Sequence, residues 1–251
     1  MAYDIEFRSG QGGSYLYVPR DCGRRPGILL LHGSDGGWSG WSSWNALALA
    51  MHGFVTFALS YSKGGNSWHA GDIDEIDLDK TEEALRWLRA HEAVAGKVGL
   101  YGASRGGEHA LLLTSLMARD GGVPLPDAVA VHSPSDTIVG AFIAGDWNPK
   151  EPETWDPSKR AWRWRGSSDG LLPTTPIEIE RYSGPLFLSH GESDRLWTVD
   201  CTRRLEARLK AAGRHPEVHY YPDEDHGFRP ETLNLQHARL ADFFRRHLEA
   251  A

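Results

Sequence analysis

The sequence predicts a mostly parallel, doubly wound α/β sheet. Two observations predict it: short apolar runs without polar alternation, as in strands covered on both faces, and helical stretches that separate them one by one. Residues 3 to 8 and 14 to 18 depart from this pattern. They alternate apolar and polar around Gly10, Gly12 and Gly13, which suits an antiparallel hairpin. After turn signals from Asp21 to Pro26, Ile28 to Leu31 is an unbroken apolar run. A glycine loop from Gly33 to Gly37 leads into a helix from about Trp41 to Met51, then the strand Phe54 to Leu59. A loop with Gly64 and Gly65 precedes a helix from about Asp77 to His91. Val98 to Tyr101 reads as the next buried strand and runs directly into Gly102-Ala-Ser-Arg-Gly-Gly107, followed by a helical stretch from Glu108 to Ala118 and the strand Ala128 to Val131. Residues 133 to 183 lack sustained periodicity and are rich in Pro, Trp, Asp and Gly, as in a small irregular cap. The strand Leu186 to Leu188, a helix near Cys201 to Ala211, the strand Val218 to Tyr221 and a last helix from about Leu233 to Leu248 restore the alternation. A single domain over residues 1 to 251, with a Trp-rich insertion at about 133 to 183, is the expected organisation.

Bulk properties narrow the function. The formal charge of −7, from 27 basic against 34 acidic residues, would repel nucleic acid and anionic membranes, so neither is expected as a partner. No apolar run approaches a membrane span, the start is acidic where a secretory signal would be apolar, and the two cysteines, Cys22 and Cys201, have no metal-binding spacing. A reducing, cytoplasmic location is the expectation, with a small molecule as substrate; a homodimer is left open.

The chemistry centres on Gly102-Ala-Ser-Arg-Gly106, a G-x-S-x-G pattern between an apolar strand and a helix. A serine on so sharp a turn needs small neighbours and presents its Oγ at the helix N-terminus. A helix-capping serine is the plainer alternative. Because a serine hydroxyl is a weak nucleophile, Ser104 needs a base, and a histidine with a pKa of about 6.5 suits that work. Of 12 histidines, His226 in Asp223-Glu-Asp-His-Gly-Phe228 follows a strand and precedes the last helix, at the sheet edge where such sites form. Asp194, in His190-Gly-Glu-Ser-Asp194, is the carboxylate expected to orient it, with Glu192 and Asp136 as competitors. Asp225 is excluded because it adjoins the histidine in sequence. The backbone N–H groups of Arg105 and of Ser34, in the loop His32-Gly-Ser-Asp-Gly-Gly37, are expected to face the oxyanion. His32, Trp147, Trp162 and Trp197 are candidates for lining the substrate pocket, since aromatic walls suit an apolar acyl group. No metal or organic cofactor is expected: Asp223, Asp225 and His226 share one short loop with no second pair of ligands.

These residues also carry a likeness. The chain resembles the C-terminal catalytic domain shared by acyl-CoA thioesterases and bile-acid-CoA:amino-acid acyltransferases, beside the dienelactone hydrolases in the α/β-hydrolase superfamily. The similarity covers most of residues 26 to 230, through Pro26-Gly-Ile-Leu-Leu-Leu-His-Gly33, Ile76-Asp-Leu78 before Trp87-Leu88, Gly102-Ala-Ser-Arg-Gly-Gly-Glu108, Ile177-Glu-Ile-Glu180 before Gly184-Pro-Leu-Phe187, and Gly191-Glu-Ser-Asp194 with Trp197. The resemblance implies an α/β-hydrolase fold, Ser104, Asp194 and His226 as a triad, and cleavage of an ester or thioester. The hydrolase pattern begins almost at once, so the amino-terminal immunoglobulin-like domain of the animal members is not expected. Serine rather than the cysteine of the acyltransferases favours hydrolysis through an acyl-enzyme. Acyl transfer to an amine or alcohol, and ligand binding without catalysis, stay as alternatives.

Overall fold

The computed structural model describes residues 4–10, 14–20, 23–66, 68–146 and 156–249. In chain order its elements are β1 (Ile5–Ser9), β2 (Tyr15–Pro19), β3 (Arg25–Leu31), α1 (Trp41–Met51), β4 (Val55–Leu59), β5 (Ile76–Asp77), α2 (Leu78–Ala90), β6 (Val94–Ala103), α3 (Arg105–Asp120), β7 (Ala128–His132), β8 (Gly140–Ala141), β9 (Asp156–Arg160), β10 (Trp162–Arg163), β11 (Leu186–Gly191), α4 (Asp200–Ala211), β12 (Glu217–Tyr221) and α5 (Pro230–Leu248). Eight strands form one sheet in the order β1-β2-β4-β3-β6-β7-β11-β12. Only the β1–β2 and β2–β4 pairs are antiparallel; from β4 to β12 the strands run parallel. This is the mostly parallel, doubly wound sheet that the alternation predicts, in the α/β-hydrolase arrangement that the resemblance implies.

Burial on both faces explains the unbroken apolar strands. One core cluster joins Leu29, Leu31, Leu100, Val129 and Leu188 to α2, α3 and α4, and a second joins Ile28, Leu30, Ala130 and Phe187 to α1 and α5. Alternate residues of each strand therefore enter opposite cores. Helix α3 starts at Arg105, three residues before the sequence suggests, because it is buried from Arg105 to Met117 and shows no clean polar face.

Described residues within 133 to 183 pack into the body of the fold. Strand β10 pairs with β5, β9 pairs with β8, and Trp162, Trp164, Leu171, Ile177 and Tyr182 are buried in the larger core. Trp147 and Trp155 lie outside the described residues, as does Cys22; Cys201 is a free thiol. None of the described helices is long and apolar enough to cross a membrane.

Register fixes where the loops meet. Leu31 pairs with Gly102, Ala103 with His132, His132 with Ser189, and Gly191 with Tyr221. The loops after β3, β6, β7, β11 and β12 thus leave the sheet along one carboxyl edge. At the turn from β6 to α3 the glycines are sterically required. A β-carbon at position 102 would stand 2.0 Å from the carbonyl oxygen of Gly106, and one at 106 would stand 2.2 Å from that of Leu31. Gly106→Ala is expected to lower stability by about 2 kcal/mol or more in urea denaturation, since the clash is with backbone that cannot rotate away. An unchanged midpoint would show that α3 has room to shift.

Candidate active site

Ser104 sits at the turn with φ 53° and ψ −123°, a left-handed backbone that residues with a β-carbon seldom adopt. Two bonds hold it there: its N–H donates to the carbonyl of His132 at 2.8 Å, and its carbonyl accepts from the N–H of Glu108 at 3.0 Å. The Ser104 side chain does not cap α3 and lines a cleft of about 600 Å³.

The loops that carry Asp194 and His226 are joined by backbone. The N–H of Glu192 donates to the Tyr221 carbonyl and that of Ser193 to the Glu224 carbonyl, both at 2.9 Å. Gly191 permits this approach, because a β-carbon there would stand 2.3 Å from the carbonyl oxygen of Glu224. Within this frame His226 Nδ1 lies 2.7 Å from Asp194 Oδ2. The other carboxylate oxygen, Oδ1, accepts from the N–H groups of Leu196 and Trp197, each at 2.9 Å. His190, fully buried, places Nε2 3.1 Å from Asp194 Oδ2 and 2.6 Å from the Trp197 carbonyl, while its Nδ1 lies 2.8 Å from the Thr202 hydroxyl. Burial alone would raise the Asp194 carboxyl, but hydrogen bonds from His190 and His226 and the N–H of Trp197 hold it well below the usual carboxylate range. Asp194 is therefore ionised and purely an acceptor, so Nδ1 of His226 carries a hydrogen. In the neutral ring Nε2 is then bare.

The competitors are engaged elsewhere. Asp136 is held by both nitrogens of an Arg204 fork at 2.7 and 2.8 Å, Glu192 pairs with Arg203 at 3.0 Å, and Asp225 pairs with Arg195 while accepting the backbone N–H of His226.

Ser104 and His226 line the same cleft, with no hydrogen bond joining them among the described residues. Gly33, Ser34 and Asp35 line it too. The N–H of Arg105 lies in the first turn of α3, where backbone donors have no partner within the helix. The Arg105 side chain points the other way. It is fully buried, donates to Glu108 Oε2 at 3.0 Å and to the Gly140 carbonyl at 2.7 Å, and lies 6.0 Å from the ring centres of both Trp162 and Trp197.

Two of the pocket candidates do not reach the cleft. Trp162 is fully buried and donates Nε1–H to Glu108 Oε1 at 2.7 Å, which makes it a support for the ion pair behind the turn. His32 is also fully buried: Nδ1 lies 2.7 Å from the Gly33 carbonyl, Nε2 accepts the N–H of Tyr61, and the two rings stack at 4.1 Å. It holds the Gly33 loop from beneath. Trp197 does line the cleft, and Trp147 lies outside the described residues. The aromatic wall comes instead from Trp38, Trp41, Trp68, Phe142 and Phe228. Trp38 and Trp41 follow the glycine loop directly, and that position could have identified them. His132, also missed, lies at the end of β7, with Nε2 3.0 Å from the His226 carbonyl.

The model of the prolyl oligopeptidase family matches residues 40–251. The chain belongs to that family. Among curated proteins it is similar to mouse acyl-coenzyme A thioesterase 6 (26% identical, covering 90% of this chain and 54% of the relative) and to mouse acyl-coenzyme A thioesterase 3 (28% identical, 94% and 55%). It is also similar to the mouse peroxisomal succinyl-coenzyme A thioesterase, at 26% identity with 94% and 56% covered. The chain thus spans little more than half the length of these relatives. Solved structures of like fold include a thermostable esterase from Pseudomonas putida ECU1011, with TM-score 0.69, 17% identity and coverage of 100% of this chain and 85% of that one. Another is Thermogutta terrifontis esterase 2 phosphorylated by paraoxon, with TM-score 0.63, 20% identity and coverage of 100% and 96%. The chain is a member of the α/β-hydrolase superfamily that resembles the acyl-CoA thioesterases.

Buried histidines around the site give a pH prediction. Burial pushes His109 and His132 down to about 3 and His237 to about 4, and lowers His32 as well. An unfolded histidine titrates near 6.5, so between about pH 6.5 and 4 the unfolded chain binds more protons than the folded one, and stability falls as pH falls. Glu108, raised by burial against the pull of Arg105, acts in the opposite sense, but His52, His91 and His247, also lowered by burial, add to these four. The urea midpoint is expected to drop steadily from about pH 6.5 to 4; a flat midpoint over that interval contradicts neutral burial of these rings.

Proposed function

We propose that this chain is a serine hydrolase that cleaves a carboxylic ester or thioester through an acyl-enzyme on Ser104. The observation that carries the reading is the His226–Asp194 hydrogen bond at 2.7 Å beside a strained, uncapped Ser104 in one cleft. Asp194 fixes the hydrogen of His226 on Nδ1 and offsets the imidazolium charge as it forms. The bare Nε2 takes the Ser104 proton as Oγ attacks the carbonyl carbon. Catalytic hydrogen bonds often tighten only when substrate is bound, and the Ser104–His226 contact forms at that stage. The oxyanion receives the N–H groups of Arg105 and Ser34. His226 then protonates the leaving alcohol or thiol, and water repeats the sequence in reverse to release the acid.

The curated relatives are named as thioesterases, which supports thioesters among the substrates. Trp38, Trp41, Trp68 and Trp197 support a small molecule with an apolar or aromatic group. The reading includes a single catalytic domain, no metal or organic cofactor and a cytoplasmic location.

Steady-state hydrolysis of p-nitrophenyl and thiophenyl esters tests this. Ser104→Ala and His226→Ala are each expected to lower kcat by roughly 10⁴-fold to 10⁶-fold, and Asp194→Asn by roughly 10⁴-fold, with folding intact by circular dichroism. Retained turnover in His226→Ala would move the base elsewhere. With added glycine or a primary alcohol the product is expected to remain the free acid; an amide or a new ester would assign acyl transfer instead.

A further inference from the structure

An exposed carboxylate, Asp35, stands among the aromatic rings of the cleft. It occupies the third position of a tight turn from Gly33 to Gly36, closed by a bond from the Gly36 N–H to the Gly33 carbonyl at 3.1 Å. Gly36 packs on Ala70: a β-carbon there would stand 2.7 Å from the Ala70 Cα, so the loops that carry Asp35 and Trp68 touch. The second loop is held in turn, since the Trp68 N–H donates to Asn66 Oδ1 at 2.8 Å. Asp35 leans back over Gly33 toward the nucleophile. Its Oδ1 and the β-carbon of Ser104 lie 2.9 and 3.3 Å from one point, the place that a β-carbon on Gly33 would take.

The charge has no partner of opposite sign in the cleft. Asp35 is the only Asp, Glu, Lys or Arg among the described lining residues, and burial lowers His32 beneath it, which keeps that ring neutral. Around it, Trp38 and Trp68 line the cleft and yet are 52% and 90% exposed. Three kinds of substrate group would fare differently here. A neutral apolar group suits the rings but takes water from an uncompensated carboxylate. An anion is repelled. An alkylammonium satisfies both features, because carboxylates and the faces of indole rings each attract a cation whose methyl groups are apolar.

We propose that this part of the cleft binds an alkylammonium group of the substrate, with Asp35 as its counter-charge and the rings of Trp38 and Trp68 against its carbons. That the ammonium is carried by an ester or thioester rests on the serine-hydrolase reading; the binding itself does not. Asp35 then determines specificity by attraction for a cation and by repulsion of a carboxylate in the same place.

Isothermal titration with uncleavable amides separates the two claims. The ligands are N-[2-(trimethylammonio)ethyl]benzamide, its carbon isostere N-(3,3-dimethylbutyl)benzamide, and N-benzoyl-β-alanine as the anion. At low salt the cation is expected to bind roughly tenfold tighter than the isostere, and the anion more weakly than either. Asp35→Asn, similar in shape, is expected to reduce that ratio to roughly threefold or less, and Trp38→Leu to lower it as well. Raising NaCl to about 0.5 M should shrink the ratio in the wild type more than in Asp35→Asn. Equal or undetectable binding of cation and isostere in the wild type, or a ratio unchanged in Asp35→Asn, would overturn the subsite. Benzoylcholine and 3,3-dimethylbutyl benzoate report on the other claim. An amide preference with neither ester cleaved leaves the subsite standing and rejects the hydrolase reading; cleavage of both esters without an amide preference does the reverse.

Discussion

Position 104 must hold a side chain on a backbone that disfavours one. A left-handed residue with a β-carbon costs roughly 1–3 kcal/mol and persists only where its surroundings fix it. Here the fixing is specific. Strand β6 enters with Gly102 and helix α3 leaves with Gly106, each in contact with backbone that leaves no space for a β-carbon, and the Ser104 N–H is tied to the neighbouring strand at His132. Loop positions elsewhere along the edge follow from this turn, because the parallel register carries the alignment from Gly102 across His132 and Ser189 to Tyr221.

Behind the turn, the fold accepts a buried ion pair. Arg105 and Glu108 are both fully buried, and further hydrogen bonds to such a pair help to repay the cost of taking its charges out of water. Trp162 Nε1 and the N–H of Val139 satisfy Glu108 Oε1, and the Gly140 carbonyl takes a second Arg105 donor. The irregular segment after β7 thus supplies three of the contacts that anchor the first turn of α3. This is a physical reason for a tryptophan there that has nothing to do with substrate.

Much of this was legible in the sequence, and the residues show why. Unbroken apolar strands and the spacing of Gly102, Ser104 and Gly106 depend on local sterics, so the fold and the sharp turn could be read directly. Asp194 and His226 could be placed at strand ends by order along the chain, and the structure brings their side chains into contact. The pocket walls were harder. Trp162 and Trp197 are the same residue type, each with its ring centre 6.0 Å from the Arg105 guanidinium, yet one faces the core and the other the cleft. That choice depends on tertiary packing of a segment without periodicity. His132 and His190 were passed over for a similar reason: each acts through a partner remote in sequence, the carbonyl of His226 in one case and the carboxylate of Asp194 in the other.

The central claim is that one hydroxyl in the chain is activated. Incubation with a fluorophosphonate, followed by peptide mapping by mass spectrometry, tests it without knowledge of the substrate. The account predicts a single adduct on Ser104, formed fast in the wild type and far more slowly in His226→Ala. An adduct on another residue, or labelling of Ser104 at the same rate without the imidazole, would contradict it.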